Sequence, residues 1–162
     1  MHMRNATLLF LVKKVNGEVS EVCLAMKKRG FGMGRRNGVG GKVGEGESIE
    51  EATKREAKEE IGIDVVSMEK TGEIAFSFTH QPDWSQTVHV YVSEEWEGEP
   101  TESEEMNPKW YSVHEIPYEI MWPDDIFWVP DMMAGKKIKA AFTFGPGDVI
   151  LEKEVQLLEV LS

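Results

Sequence analysis

The chain has almost no cysteine, no long apolar run and a shortage of positive charge. Cys23 is the only cysteine in 162 residues, so no internal disulfide can form and a reducing compartment, the cytoplasm, is expected. It lies in an apolar alternating run and is read as a buried structural thiol rather than a nucleophile. No stretch approaches the length that spans a bilayer. The apolar run within the opening MHMRNATLLFLVKK is short and ends in lysines, so neither a membrane partner nor a cleaved leader is expected. With 18 Lys and Arg against 29 Asp and Glu, a formal charge of −11, the chain also lacks the basic surface that a nucleic-acid partner requires. There is no internal repeat and no long linker. Residues 1–162 suffice for one domain with a proper core, and a monomer is expected.

What is present centres on Gly41–Ile63, GKVGEGESIEEATKREAKEEIGI. A glycine turn leads through Glu47 into a helical pattern. Ser48 suits an N-cap with Glu51 closing a capping box, and Gly62 suits the C-terminal stop. At 100° per residue Ile49, Ala52 and Thr53 share a stripe with Glu56 and Glu60, with Glu59 at its edge. The opposite side carries Glu50, Glu51, Lys54 and Lys58, an ordinary solvated face with pairs such as Glu50–Lys54. Carboxylates continuing an apolar stripe repel one another and suffer desolvation. Oxygen-ligated divalent cations relieve that cost, and Mg²⁺ typically sits between carboxylates and substrate phosphates. Arg55 can brace the cluster through Glu47 or Glu59.

Elsewhere the patterning is mostly strand-like. Ala6–Lys14 and Val19–Lys28 flank Asn16-Gly17, a hairpin-turn signal. Arg29–Gly41 is a loop rich in glycine and arginine, residue types that let backbone N–H groups approach an anion and hold phosphate. Val65–His80, Thr87–Ser93 and Lys109–Val113 read as strands, with His89 a ladder or core residue. Ser93–Glu105 holds seven glutamates and reads mostly as a solvated loop. WPDD at Trp122–Asp125 starts a helix expected through Met133, with Pro123 and the aspartates in its first turn. Ile138–Phe144 and Asp148–Leu158 form a closing hairpin. Strands before and after two helices give an α/β (α+β) chain, a mixed β-sheet sandwiched between helices.

The pattern G-x5-E-x7-R-E-x-x-E-E-x-G-I resembles the Nudix box of the Nudix hydrolases, with Ala57 where the family usually has a larger aliphatic residue. That resemblance implies the same sandwiched fold and diphosphate hydrolysis. Over nearly its full length the chain is similar to one subgroup, the animal-type oxidised purine nucleoside triphosphatases. The matching residues are MKKRGFG (Met26–Gly32), RNGVGGKV (Arg36–Val43), FSF (Phe76–Phe78), VHVY (Val88–Tyr91), ESEEM (Glu102–Met106) and MWPDDIFW (Met121–Trp128).

The resemblance implies Mg²⁺, or Mn²⁺, held by Glu56, Glu59, Glu60, Glu105 and the Gly40 carbonyl, with Arg55 bracing them. It implies a base pocket of Thr7, Phe31, Asn37, Phe76, Trp122, Asp124 and Asp125, with Lys27 and Trp128 nearby and Gly41 and Lys42 toward the phosphates. The expected reaction turns 8-oxo-dGTP or 2-hydroxy-dATP into the monophosphate and pyrophosphate. Asn37 offers donor and acceptor, and one of two neighbouring buried aspartates kept protonated can donate as well as accept. Two positions depart from the subgroup: Arg36 replaces an aromatic, a change expected at the surface, and Gln86 replaces a methionine in the pocket. The rival readings are a Nudix hydrolase of another nucleoside diphosphate-linked substrate and a nucleotide-binding module without catalysis.

Overall fold

Strand β1 (Arg4–Val15) turns at Asn16-Gly17 into β2 (Glu18–Lys27), and φ values of 53° and 81° at the turn match a two-residue hairpin. The structure, a computed structural model, describes residues 3–161. After β2 come β3 (Arg36–Asn37), helix α1 (Ile49–Ile61), β4 (Asp64–Phe78), β5 (Gln86–Glu97) and β6 (Met106–Ser112). A one-turn helix α2 (Val129–Met133) precedes the closing hairpin of β7 (Lys137–Gly145) and β8 (Val149–Leu158). One mixed sheet runs β3-β2-β1-β5-β4-β7-β8, with β6 added to β2. The β1–β5 and β4–β7 pairs are parallel and the others antiparallel.

Alternation along β1 and β2 divides the core between the two faces of the sheet. Phe10, Val12, Val22 and Leu24 point to one face, beneath the segment that holds Ile116, Met121, Trp128, Val129 and Met132. Leu9, Leu11, Cys23 and Ala25 point to the other, beneath Ala57 and Ile61 of α1 and the adjoining Ile63. Cys23 is buried as expected, and burial pushes its thiol up to about 11. His89 is a buried ladder residue between Asn5 and Lys70. Ser48 and Glu51 form the expected capping box and Gly62 closes α1 at φ 74°; such caps contribute on the order of 1 kcal/mol each.

Three expectations are corrected. Trp122–Met133 is not one helix: a 3₁₀ turn at Asp125–Phe127 stops at Trp128, φ −137°, before α2 begins. Pro130 explains the break, because it lacks the N–H that a continuous helix would donate to Ile126, whereas in the first turn of α2 no such donor is needed. The start of the glutamate-rich Ser93–Glu105 segment is strand, since β5 continues to Glu97. Ser93 is buried with its hydroxyl donating to the Ser67 carbonyl at 2.6 Å, and Trp96 stacks on Trp110. Glu94, Glu95 and Glu97 of the strand remain solvent-exposed. Arg36 is not at the surface: it is 8% exposed, donating to the carbonyls of Leu24 and Asn107 where β2 meets β6.

What positions the site is a fork. β1 and β2 pair from Leu11↔Cys23 through the turn and then diverge. Into the gap runs the glycine segment: Arg36 and Asn37 pair with β2, then Val39 and Lys42 bridge to Leu9 and Ala6 of β1.

Candidate active site

Residues 38–41 must lie against bare backbone, and only glycine fits at two of the positions. A Cβ on Gly38 would lie 2.6 Å from the Leu9 carbonyl oxygen, and one on Gly40 only 1.9 Å from that of Thr7. Gly40→Ala is therefore expected to expel the segment from the fork. Thermal unfolding should show a loss of several kcal/mol or no folded protein at all; an unchanged Tm would contradict the packing described here. The Val39 N–H and carbonyl are both taken by Leu9, and the Gly41 carbonyl accepts from Thr7 N–H at 2.8 Å. By strand alternation, Gly40 turns its N–H and carbonyl the other way, toward α1. Its N–H meets Glu60 Oε2 at 3.2 Å.

The acidic stripe of α1 faces this segment. Arg55 spends its donors on Glu47 (2.7 and 2.9 Å), Glu56 (2.8 Å), Glu59 (3.2 Å) and the Lys42 carbonyl (3.1 Å). The guanidinium and the Gly44 N–H hold the Glu47 carboxyl down to about 2. Glu56 is half-buried against Gly41, whose built Cβ would meet its carboxylate at 2.8–2.9 Å. Glu60 is buried with no cation beside it. Burial, and then the charges of Glu56 and Glu105, push its carboxyl up to about 8. Glu59 is exposed at the rim, held only by Arg55. Glu105 is also exposed, 3.5 Å from Arg29, and close enough for its charge to be felt at Glu60.

Among the described residues no three acidic, His or Cys side chains close into a complete metal cage. The donor set nonetheless fits a hard divalent cation. It is all oxygen, it includes the buried Glu60 carboxyl, whose ionised form is disfavoured by burial and by Glu56 and Glu105 and would be restored by a cation, and it leaves room for water and phosphate ligands. The one cation built into the cluster, Arg55, is fully engaged on the other side of Glu56.

On the opposite face of the sheet lies a cavity of about 270 Å³. Phe31, Phe76, Trp122 and Trp128 supply its aromatic wall, and Thr7, Lys27, Asn37, Gly41 and Lys42 its polar rim toward the fork. Phe31 is 45% exposed and lies between Trp122 (5.0 Å) and Trp84 (5.1 Å). Asn37 Oδ1 accepts the Gly38 N–H at 2.8 Å, which leaves its NH₂ to a ligand. The floor holds Asp124 and Asp125, each 2% exposed. Asp124 accepts from Trp128 Nε1 at 2.8 Å and Asp125 from the Trp122 N–H at 3.1 Å. Burial pushes Asp124 up to about 6; burial and the Asp124 charge push Asp125 well above the usual carboxylate range. The pair thus keeps a proton on Asp125 beside an ionised Asp124.

That proton has a stability signature. The folded chain retains protons on both groups where an unfolded chain has released them, near 3.8. Their contribution is full below that value and is lost as pH rises through about 6 and beyond. Asp125→Asn should flatten the loss: relative to wild type, the variant gains on the order of 1–3 kcal/mol between about pH 5 and about pH 8. Tm measured across pH checks this, and parallel profiles for the two proteins would contradict it. Glu60 titrates in the same sense in both proteins and cancels.

Every residue expected for the base side lines this cavity; on the acidic side Glu60 meets the Gly40 N–H and Glu56 packs against Gly41, while Glu59 and Glu105 stand exposed beside Arg55 and Arg29. Two aromatic-cavity neighbours escaped the sequence reading. Trp84 follows β4 at the end of a single 3₁₀ turn that starts at Pro82. Arg35 lines the cavity and lies over Trp122; it was one arginine among several in a loop. Gln86 lines the cavity as expected.

Comparison with known proteins agrees with this geometry. A family model described as NUDIX domain matches residues 2–132. The chain is 43% identical over 159 residues to the oxidized purine nucleoside triphosphate hydrolase of Danio rerio, covering 98% of this chain and all of that one. It is 48% identical over 130 residues to the protein of the same name from Mus musculus, covering 80% and 83%. The fold superposes on the crystal structure of the mutator MutT protein from Bacillus halodurans with a TM-score of 0.78, at 24% identity, covering 95% of this chain and 98% of the other.

Proposed function

The chain belongs to the Nudix family, and from that premise we propose that it hydrolyses oxidised purine nucleoside triphosphates, such as 8-oxo-dGTP and 2-hydroxy-dATP, to the monophosphate and pyrophosphate. The observation that carries this reading is the buried Asp124–Asp125 pair at the floor of an aromatic cavity that shares the glycine segment with the acidic cluster. A protonated and an ionised carboxyl side by side present a donor and an acceptor to the edge of a purine, whose pattern oxidation changes. The names of the Danio and Mus relatives support the same substrate class.

Nudix hydrolases use divalent metal ions; here we assign Mg²⁺, with Mn²⁺ as substitute, to Glu56, Glu59, Glu60, Glu105 and the Gly40 carbonyl. A bound divalent cation neutralises phosphate charge and acidifies a water. The chain does the rest. Trp122 and Phe31 hold the base between flat surfaces, and the aspartate pair and the Asn37 NH₂ read its edge. Lys27 and Lys42 carry positive charge to the phosphates, and the glycine segment lets them pass close to backbone. Arg55 fixes the rotamers of Glu47, Glu56 and Glu59, so that the carboxylate cluster, which also takes the proton from the attacking water, keeps one geometry. The same reading makes the protein a cytoplasmic, monomeric cleanser of the nucleotide pool formed by one domain, with no nucleic-acid or membrane partner. No helix among the described residues is long and apolar enough to cross a membrane.

The test is pyrophosphate release with Mg²⁺ from 8-oxo-dGTP, 2-hydroxy-dATP, dGTP and dATP at equal low concentration. Preference for either oxidised purine is expected. Equal or absent turnover across the four would remove the sanitising role and leave the search to other diphosphates; binding without turnover would mark a nucleotide-binding module.

A further inference from the structure

Arg35 has no part in the function proposed above, yet three distant pieces of chain meet at its side chain. Its guanidinium carbon lies 4.0 Å from the centroid of the Trp122 ring. Its Nη2 donates to Asp148 Oδ2 at 2.8 Å across 113 residues of sequence, and both side chains are half-buried. Its Nη1 is buried without a partner. Asp148 stands in the turn between β7 and β8 at φ 59°, in the left-handed region that a residue with a Cβ adopts only at a cost. What the position gains is a carboxylate aimed at Arg35. Trp122 itself lies between two 3₁₀ turns, Tyr118–Ile120 and Asp125–Phe127, rather than in a regular helix.

We propose that Arg35, clamped by Asp148, is the positioning residue that fixes the plane of the Trp122 indole and thereby sets the affinity of the cavity for an oxidised purine. The inference rests on the purine-hydrolase reading. A planar guanidinium against one indole face restricts the ring to a parallel slab, leaving the other face to the cavity and Phe31. Held by a single ion pair, the guanidinium cannot swing away to solvent. The clamp never touches the phosphates, so its loss weakens binding and spares the chemical step. The Asp124–Asp125 floor feels the same cation, and Asp125 in turn is felt by the Tyr118 hydroxyl. Lys27 borders the cavity from β2.

The experiment compares wild type, Arg35→Gln, Asp148→Asn, the double variant and Arg35→Lys. It measures steady-state turnover of 8-oxo-dGTP, equilibrium binding of 8-oxo-dGMP by fluorescence quenching, and thermal unfolding. Arg35→Gln and Asp148→Asn should each raise KM and the 8-oxo-dGMP Kd by about tenfold with kcat within about twofold. The double variant should be no worse than Arg35→Gln alone, because each change cuts the same link. Arg35→Lys keeps the ion pair without the flat stack and should recover only part of the affinity. Asp148→Asn leaves Arg35 in place and keeps the test decisive if Arg35→Gln does not fold.

Unchanged KM and Kd in the variants, or effects that multiply in the double variant, would overturn the clamp while wild-type turnover left the functional reading intact. A lowered Tm with kcat and KM untouched would reduce the pair to a structural tie and also overturn it. Wild type that neither binds nor hydrolyses the oxidised purine would remove the functional reading and the clamp with it.

Discussion

Glu56→Gln is expected to lower turnover by roughly two to four orders of magnitude while leaving the fold intact. Glutamine keeps the volume that fits against Gly41, where the carboxylate is already in close contact with the glycine segment. It gives up the negative charge on which the assigned cation site depends. Arg55 retains Glu47 and Glu59 after the change, so the brace on α1 survives and Tm should move by only a few degrees. Steady-state pyrophosphate release with a thermal control checks this. Raising the metal concentration distinguishes a weakened cation site, which recovers in part, from loss of a proton acceptor, which does not. Unimpaired turnover in the variant would remove Glu56 from the metal-holding set.

Asp124→Asn should cost about two orders of magnitude in kcat/KM for the oxidised purine, expressed mainly in KM. The amide oxygen can still accept from Trp128 Nε1 at the observed 2.8 Å, so the floor of the cavity keeps its tie. The NH₂ then faces the cavity and donates where the carboxylate accepted, which sets donor against donor at the base edge. Asp125 also loses the neighbouring charge that raises it and titrates closer to its ordinary value. Measuring kcat/KM for 8-oxo-dGTP and dGTP in both proteins tests the assignment. A variant that discriminates between them as wild type does would show that the base is read elsewhere.

The parts of this site that the sequence disclosed are those whose signal is periodic or backbone-imposed. The acidic stripe of α1 was legible because a carboxylate on a buried face is costly, and the helix caps were legible because their residue types are few. The glycines of GVGG could be tied to an anion but not to the fork, since their requirement comes from Thr7 and Leu9, some thirty residues away. Arg36 shows the opposite failure. Its charge suggested the surface, but its guanidinium is turned into the interior, where it donates to two backbone carbonyls at the β2–β6 pairing. The helix expected after WPDD fails at Pro130, a local breaker inside the span that the first-turn signal of Pro123 and the aspartates does not address. Residue contacts such as Arg35 to Asp148 join segments with no shared pattern, and no spacing rule could have paired them.

The split of the core between two faces of the sheet has a consequence for how this protein can change. The base cavity and the acidic cluster touch the glycine segment from opposite sides and draw on different side chains. Losses from Asp124→Asn and Glu56→Gln should therefore multiply rather than interact. A chain built this way can be re-addressed: exchanging residues such as Gln86 or Trp84 around the cavity alters which base is admitted, while the machinery behind the sheet stays as it is. Specificity and chemistry are two modules sharing one thin partition, free to drift at separate rates.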